Sequence, residues 1–251
     1  MIVKRKTAMN IRKAHRYLGI FIGIQFIMWT VSGLYFSWTD LDEIHGDNFK
    51  KHHPDQSAFS DLMSPSELAP DMEVTSIDLQ EISGQPYYFL NGEVLMNART
   101  GEILDEISEE DALSIAARYM KDELEVSGVE RITKTGKHHE YRENLLPAYV
   151  ISYDTDENLK AYIGATNGDF RTVRHRDWRW FDFLWMTHTM DYEGRDDFNN
   201  LALRSFSLLG LITVFSGFLL WYISSPTVRK VVQPGKKKKK KKKEKKRKNR
   251  V

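Results

Sequence analysis

Cysteine is absent from the 251-residue chain. That excludes a disulfide scaffold, a thiolate metal site, an iron–sulfur cluster, a cysteine nucleophile and covalent c-type haem. Acidic residues are missing from the first 16 positions, which carry six Lys/Arg, and residues 229–251 hold fifteen Lys/Arg against one Glu. Residues 17–228 are the reverse, with 16 basic and 34 acidic residues. An acidic body between two basic ends is not the pattern of a nucleic-acid-binding domain. Formal charge is missing altogether from the 22 residues Tyr17 to Trp38, and only Arg204 interrupts Leu201 to Ile223.

Each of these two runs is long enough to cross a hydrocarbon core of about 30 Å as a helix. Core helices of a soluble fold are the alternative, and the lengths favour spans. The basic ends flank both runs, so the positive-inside rule places both termini in the cytoplasm and residues 39–200 outside. Trp29, Tyr35, Trp38, Trp221 and Tyr222 lie towards helix ends, as interfacial aromatics do. The first run is too long for a signal-peptide core and no small-x-small site precedes Asp40, so it reads as a retained anchor. After Pro234-Gly235 come eight consecutive lysines and then EKKRKNR. Such a tail repels itself and is expected to be disordered, to fix topology and to touch anionic lipid; binding of RNA or an acidic partner is the weaker alternative.

The predicted organisation is a basic cytoplasmic N-terminus (1–16), a first span (17–38), a linker (39–76), a folded domain (77–173), an interfacial amphipathic segment (174–200), a second span (201–223) and a polybasic tail (224–251). Within the folded domain, Tyr87 to Leu104 mixes β-formers with turn signals at Asn91-Gly92 and Thr100-Gly101. Ser108 is a candidate N-cap, followed by acids and the apolar face Ala112, Leu113, Ile115, Ala116, Ala117, Tyr119 and Met120. Strands follow at Ala148–Tyr153, Lys160–Gly164 and Phe170–Val173. Residues 97–102 and 164–169 echo each other, each with a glycine after a strand. The reading is α+β, a helix packed on antiparallel sheet, with no glycine-rich phosphate loop, Gly-x-Ser-x-Gly or His-Glu-x-x-His motif.

The strand–Thr-x-Gly–helix order with EEDALSIAARYM resembles a PepSY domain. RKAHRYLGIFIGIQFIMWTVSGLYF (Arg12 to Phe36) and LWMTHTMDYEG with LLGLITVFSGFLLWY (Leu184 to Tyr222) resemble helices of PepSY-associated transmembrane proteins. That resemblance implies an integral protein of a bacterial cytoplasmic membrane with a periplasmic PepSY-like domain. Some relatives in that family are ferric-siderophore reductases, in which membrane histidines hold b-type haem. Those better-known members resemble four-helix proteins, whereas this chain has two candidate helices.

Eight histidines are present. His52, His53, His138 and His139 sit in polar loops and read as solvated, and His175 falls in the basic-aromatic stretch read as interfacial. His15 and His188 lie at opposite borders of the membrane. The family resemblance makes His15, His45 and His188 candidate haem ligands, with Arg12, Arg16 and Arg204 as partners for the propionates. About 35 Å of helix from His15 to Trp38 prevents His15 and His188 from sharing one haem. His45 with His188 would make an outer site, and an inner site at His15 needs a homo-oligomer or another membrane subunit. Gln25, the one amide deep in the first run, is expected to face a neighbouring helix. The rival reading is a membrane-tethered PepSY module that binds or regulates an exported peptidase without redox activity.

Overall fold

The computed structural model describes residues 5–52, 57–142 and 144–227. The polylysine tail and His53 lie outside the described residues. The described residues divide into two compact bodies, one of residues 5–33, 187–191 and 196–227, the other of the described residues within 34–186 and 192–195.

The first body is helical. Helix α1 (Arg5–Trp38) begins well before the apolar run, because the Lys, Arg, Ala and Met residues ahead of Tyr17 are good helix formers. The last long helix, named α6 below, spans Leu201–Ser224, and Asn200 caps it by accepting from the Leu203 N–H at 2.8 Å. Both helices are long and apolar enough to cross a membrane, and their most apolar stretches are only 17 % and 6 % buried. They run antiparallel: Phe21 stacks on Phe206 at 5.4 Å, and Arg12 donates to Ser224 Oγ at 3.2 Å.

The second body is α+β. Two short helices, α2 (Leu41–Ile44) and α3 (Pro65–Leu68), precede a meander of β1 (Ile77–Ile82), β2 (Gln85–Leu90), β3 (Val94–Asn97) and β4 (Ile103–Leu104). Helix α4 (Glu109–Tyr119) follows. A second meander comprises β5 (Val126–Ile132), β6 (Ala148–Tyr153), β7 (Lys160–Gly164) and β8 (Phe170–Arg174), and α5 (Arg176–Thr189) follows it. Sequence analysis foresees one helix on one antiparallel sheet; the structure has two four-stranded sheets. The strands it does not name are β1 and β5, the latter an exposed edge whose Gly128 and register shift break the two-residue alternation.

The sequence echo is a structural repeat. Asn97 N–H donates to Glu102 O and Gly101 N–H to Asn97 O; Gly164 N–H donates to Asp169 O and Gly168 N–H to Gly164 O. Gly101 and Gly168 adopt φ of +72° and +69°. Two meander-plus-helix units therefore share one turn design.

Period-two alternation splits each sheet between two cores. Phe89 and Leu95 of the first sheet and Tyr149, Ile151, Ala161 and Ile163 of the second meet Ala112, Ile115 and Ala116 of α4 in one cluster. Tyr88, Leu90 and Met96 face the other way, under Leu62, Leu68 and Met72. Helix α4 is placed by a capping box, Ser108 Oγ accepting from Asp111 N–H while Asp111 accepts from Ser108 N–H at 3.0 Å.

Gly168 sits where the halves interlock. A Cβ there would stand 3.1 Å from Ile82 and 3.2 Å from Ile115, on a left-handed backbone. Gly168→Ala should destabilise the α+β body by about 1–2 kcal/mol, read from thermal unfolding.

A polar clamp ties the second sheet to α5. Arg179 Nε donates to Glu140 Oε2 at 2.6 Å and Tyr162 OH donates to Glu140 Oε1 at 2.7 Å. Burial alone would raise the Glu140 carboxyl, but these donors outweigh it and hold the group below its ordinary value of 4.5. A depressed carboxyl stabilises the fold fully above the unfolded value and loses that contribution as pH falls through the folded one. Glu140→Gln should therefore cost about 3 kcal/mol near neutrality. The gap between variant and wild type in thermal unfolding should close as pH drops below 4.5.

Candidate functional site

The helical body is organised by a seam on α1. Ala8, Ile11, His15, Leu18, Ile22, Gln25, Trp29 and Ser32 alternate at spacings of three and four, and each is buried or half-buried. Their neighbours on the helix are mostly exposed. The seam is apolar except at His15, Gln25, Trp29 and Ser32, and each of those four has a polar partner.

His15 Nδ1 lies 2.7 Å from Ser216 Oγ of α6, and Ser216 donates its own proton to Thr213 O at 2.7 Å. With that proton committed, Ser216 can only accept, so the proton of the His15 ring resides on Nδ1. Nε2 then carries the lone pair. The next residue on α6 is Gly217, and a Cβ there would stand 3.3 Å from His15 Cε1. Glycine is what lets the flat ring lie against the helix.

The arrangement recurs at the other end of α1. His188 Nδ1 lies 2.7 Å from Ser32 Oγ, and Ser32 donates to Met28 O at 2.7 Å. His188 is therefore also the Nδ1–H tautomer. Burial pushes its imidazole below the ordinary value, which keeps the ring neutral at physiological pH.

The segment carrying His188 is held by side chains. The last carbonyls of a helix lack partners within it. At the end of α5, Gln25 Nε2 donates to Thr187 O at 3.0 Å, Trp29 Nε1 to His188 O at 2.7 Å and Asn200 Nδ2 to Thr189 O at 2.9 Å. Gln25 does face a neighbouring helix, as the sequence predicts. The roles of Trp29 and Ser32 are missed there, although Gln25, Trp29 and Ser32 fall on one helical face.

This chain belongs to the PepSY-associated TM region family. The match covers residues 2–248. No curated protein and no solved structure matches it. The protein is thus a membrane protein of that family with two apolar helices.

Of the remaining predicted site residues, Arg12 and Arg16 are exposed near His15. Arg204 is exposed at the opposite end of the body, where it donates to Asn199 Oδ1 at 3.2 Å. His45 belongs to the α+β body, exposed just after α2. From His15 to Ser32 is 17 residues, about 25 Å along α1, so the two serine-held rings occupy separate levels of the PepSY-associated TM helices. His15 and His188 could each hold a haem iron through Nε2: an imidazole whose other N–H is anchored is the usual form of a metal-ligating histidine.

His175 departs most from the sequence reading. It is not on an interfacial helix surface but 2 % exposed, preceding α5 and packed on Phe49 at 5.1 Å.

Ser32→Ala should remove the acceptor that fixes His188. Nitrogen NMR of the imidazoles should then show the Nε2–H form of His188 gaining population, while Ser32→Thr keeps the wild-type pattern.

Proposed function

We propose that this protein binds b-type haem and carries electrons from the cytoplasmic to the outer face of a bacterial inner membrane, with a ferric siderophore or another iron species as acceptor. The observation that supports it is the pair of histidines at two levels of the helical body, each held by a serine in the tautomer that leaves Nε2 as a ligand. Nitrogen-ligated haem iron supplies one-electron chemistry between its ferric and ferrous states.

The chain's own residues bind and orient. His15 would hold the inner haem, with Arg12 and Arg16 beside it to pair propionates. His188 would hold the outer haem, with Arg204 at that end of the helical body to pair its propionates. Among the described residues, His15 and His188 are the only histidines of the helical body. The inner site therefore takes its second ligand from another copy or another membrane subunit. The low burial of both apolar helices is consistent with such company. Both basic ends are cytoplasmic in this reading and residues 39–200 are periplasmic, with the PepSY-like domain over 77–173.

A polar cleft supports a second reading, a tethered module that binds an exported partner. About 690 Å³ opens beside Asp78, Gln80, Arg118, Asp169 and Arg171. Gln80 Oε1, Arg118 Nε and Arg171 Nε are buried there with no hydrogen-bond partner among the described residues. Such groups suit a peptide or carboxylate ligand.

Haem-replete expression and purification in detergent should give a reduced-minus-oxidised spectrum with b-type Soret and α bands. His15→Ala and His188→Ala should each lose part of it with unchanged circular dichroism. A folded chain without those bands overturns the redox reading. Capture of an exported partner by crosslinking in intact cells, abolished by Arg118→Ala, would establish the second.

A further inference from the structure

We propose that Glu157, His175 and Asp177 form a binding site for a divalent transition cation of the zinc class. It is independent of the haem reading and lies wholly within the α+β body. One ligand atom from each residue falls within 4.8 Å of the others.

The geometry of His175 carries the proposal. Nε2 lies 3.1 Å from Glu43 O and 3.2 Å from Ile44 O. Both are acceptors, so Nε2 carries the proton and the neutral ring presents a bare lone pair at Nδ1. That atom is buried, has no hydrogen-bond partner among the described residues, and faces Glu157 Oε2 at 3.4 Å. Two acceptors thus confront each other in a buried place. Either a second proton or a cation reconciles them.

The distance favours the cation. A hydrogen-bonded imidazolium–carboxylate pair closes to about 2.7–2.9 Å. A tetrahedral ion with bonds of about 2.0–2.1 Å separates its ligands by roughly 3.4 Å, the spacing between His175 Nδ1 and Glu157 Oε2. The backbone carbonyls on Nε2 provide the anchoring that metal-bound imidazoles usually have. Asp177 supplies a third donor from the first turn of α5. Its neighbour Arg176 reaches it only at 3.6 Å, beyond hydrogen-bond range. A single imidazole with two carboxylates suits zinc-class ions better than magnesium or calcium, which prefer all-oxygen sets.

An ion here would clip three separate segments. Glu157 lies in the turn between β6 and β7, His175 and Asp177 open α5, and the His175 ring reaches back to the end of α2. Arg176 N–H already donates to Glu157 O at 2.9 Å, so the scaffold is preformed.

The test uses the full chain in detergent, stripped with chelator and titrated with Zn²⁺ by calorimetry. One saturable site per chain is expected, together with a rise in thermal unfolding temperature. Glu157→Gln and Asp177→Asn keep each side chain's size while removing its charge, and each should weaken binding by roughly tenfold or more. Co²⁺ should occupy the same site and give the visible bands of a tetrahedral ion. Absence of stoichiometric Zn²⁺ binding, wild-type affinity in both variants, or a response to Mg²⁺ or Ca²⁺ alone would overturn the proposal. So would nitrogen NMR showing a doubly protonated His175 ring unchanged by Zn²⁺.

Discussion

A serine inside an apolar helix has one nearby place for its hydroxyl proton, the carbonyl one turn back. Ser32 and Ser216 both take it, donating to Met28 O and Thr213 O. Each hydroxyl is then an acceptor only, and whatever ring nitrogen reaches it must bring a hydrogen. Two bonds of ordinary strength thereby decide the protonation pattern of two histidines. In water the tautomers of an imidazole interconvert freely; here the backbone of the opposing helix selects one.

The α+β body works by repetition. Two meanders close on the same five-residue turn and each hands the chain to a helix, but the helices have diverged. Helix α4 lies in the shared core between the sheets, and its buried face is made of alanines and one isoleucine. Helix α5 is aromatic, with Phe181 stacked on Trp185 at 6.0 Å and Phe36 4.9 Å from Phe181. One copy of the unit serves packing. The other leads into the segment that carries His188.

Much of this is written openly in the sequence. Two runs nearly free of charge announce the long helices, because length and apolarity alone decide that a segment can cross hydrocarbon. Ser108 and Asp111 announce α4, since capping is a local interaction. Asn91-Gly92 announces a turn because both residues must take positive φ, and they do. Strand β5 is hidden because an exposed edge needs no apolar alternation. The other three strands of its sheet are legible, but not that they form a sheet separate from the first. The seam on α1 is readable afterwards as spacings of three and four, but serine and glutamine within it look like tolerated polar residues until the carbonyls they meet are known. His175 is the clearest failure. Its neighbours Arg174, Arg176 and Trp178 give the segment an interfacial look, while the carbonyls that bury it come from Glu43 and Ile44, more than a hundred residues away. Long-range backbone partners leave no local trace.

The exposed strand β5 bears on how copies of this protein can meet. Its register shift at Val126 and Gly128 bends the ladder, and Arg131 is fastened to Glu106 at 2.7 Å. A kinked, charge-studded border is a poor template for an incoming chain. Crowding at a membrane surface would therefore not zip these domains together along β5.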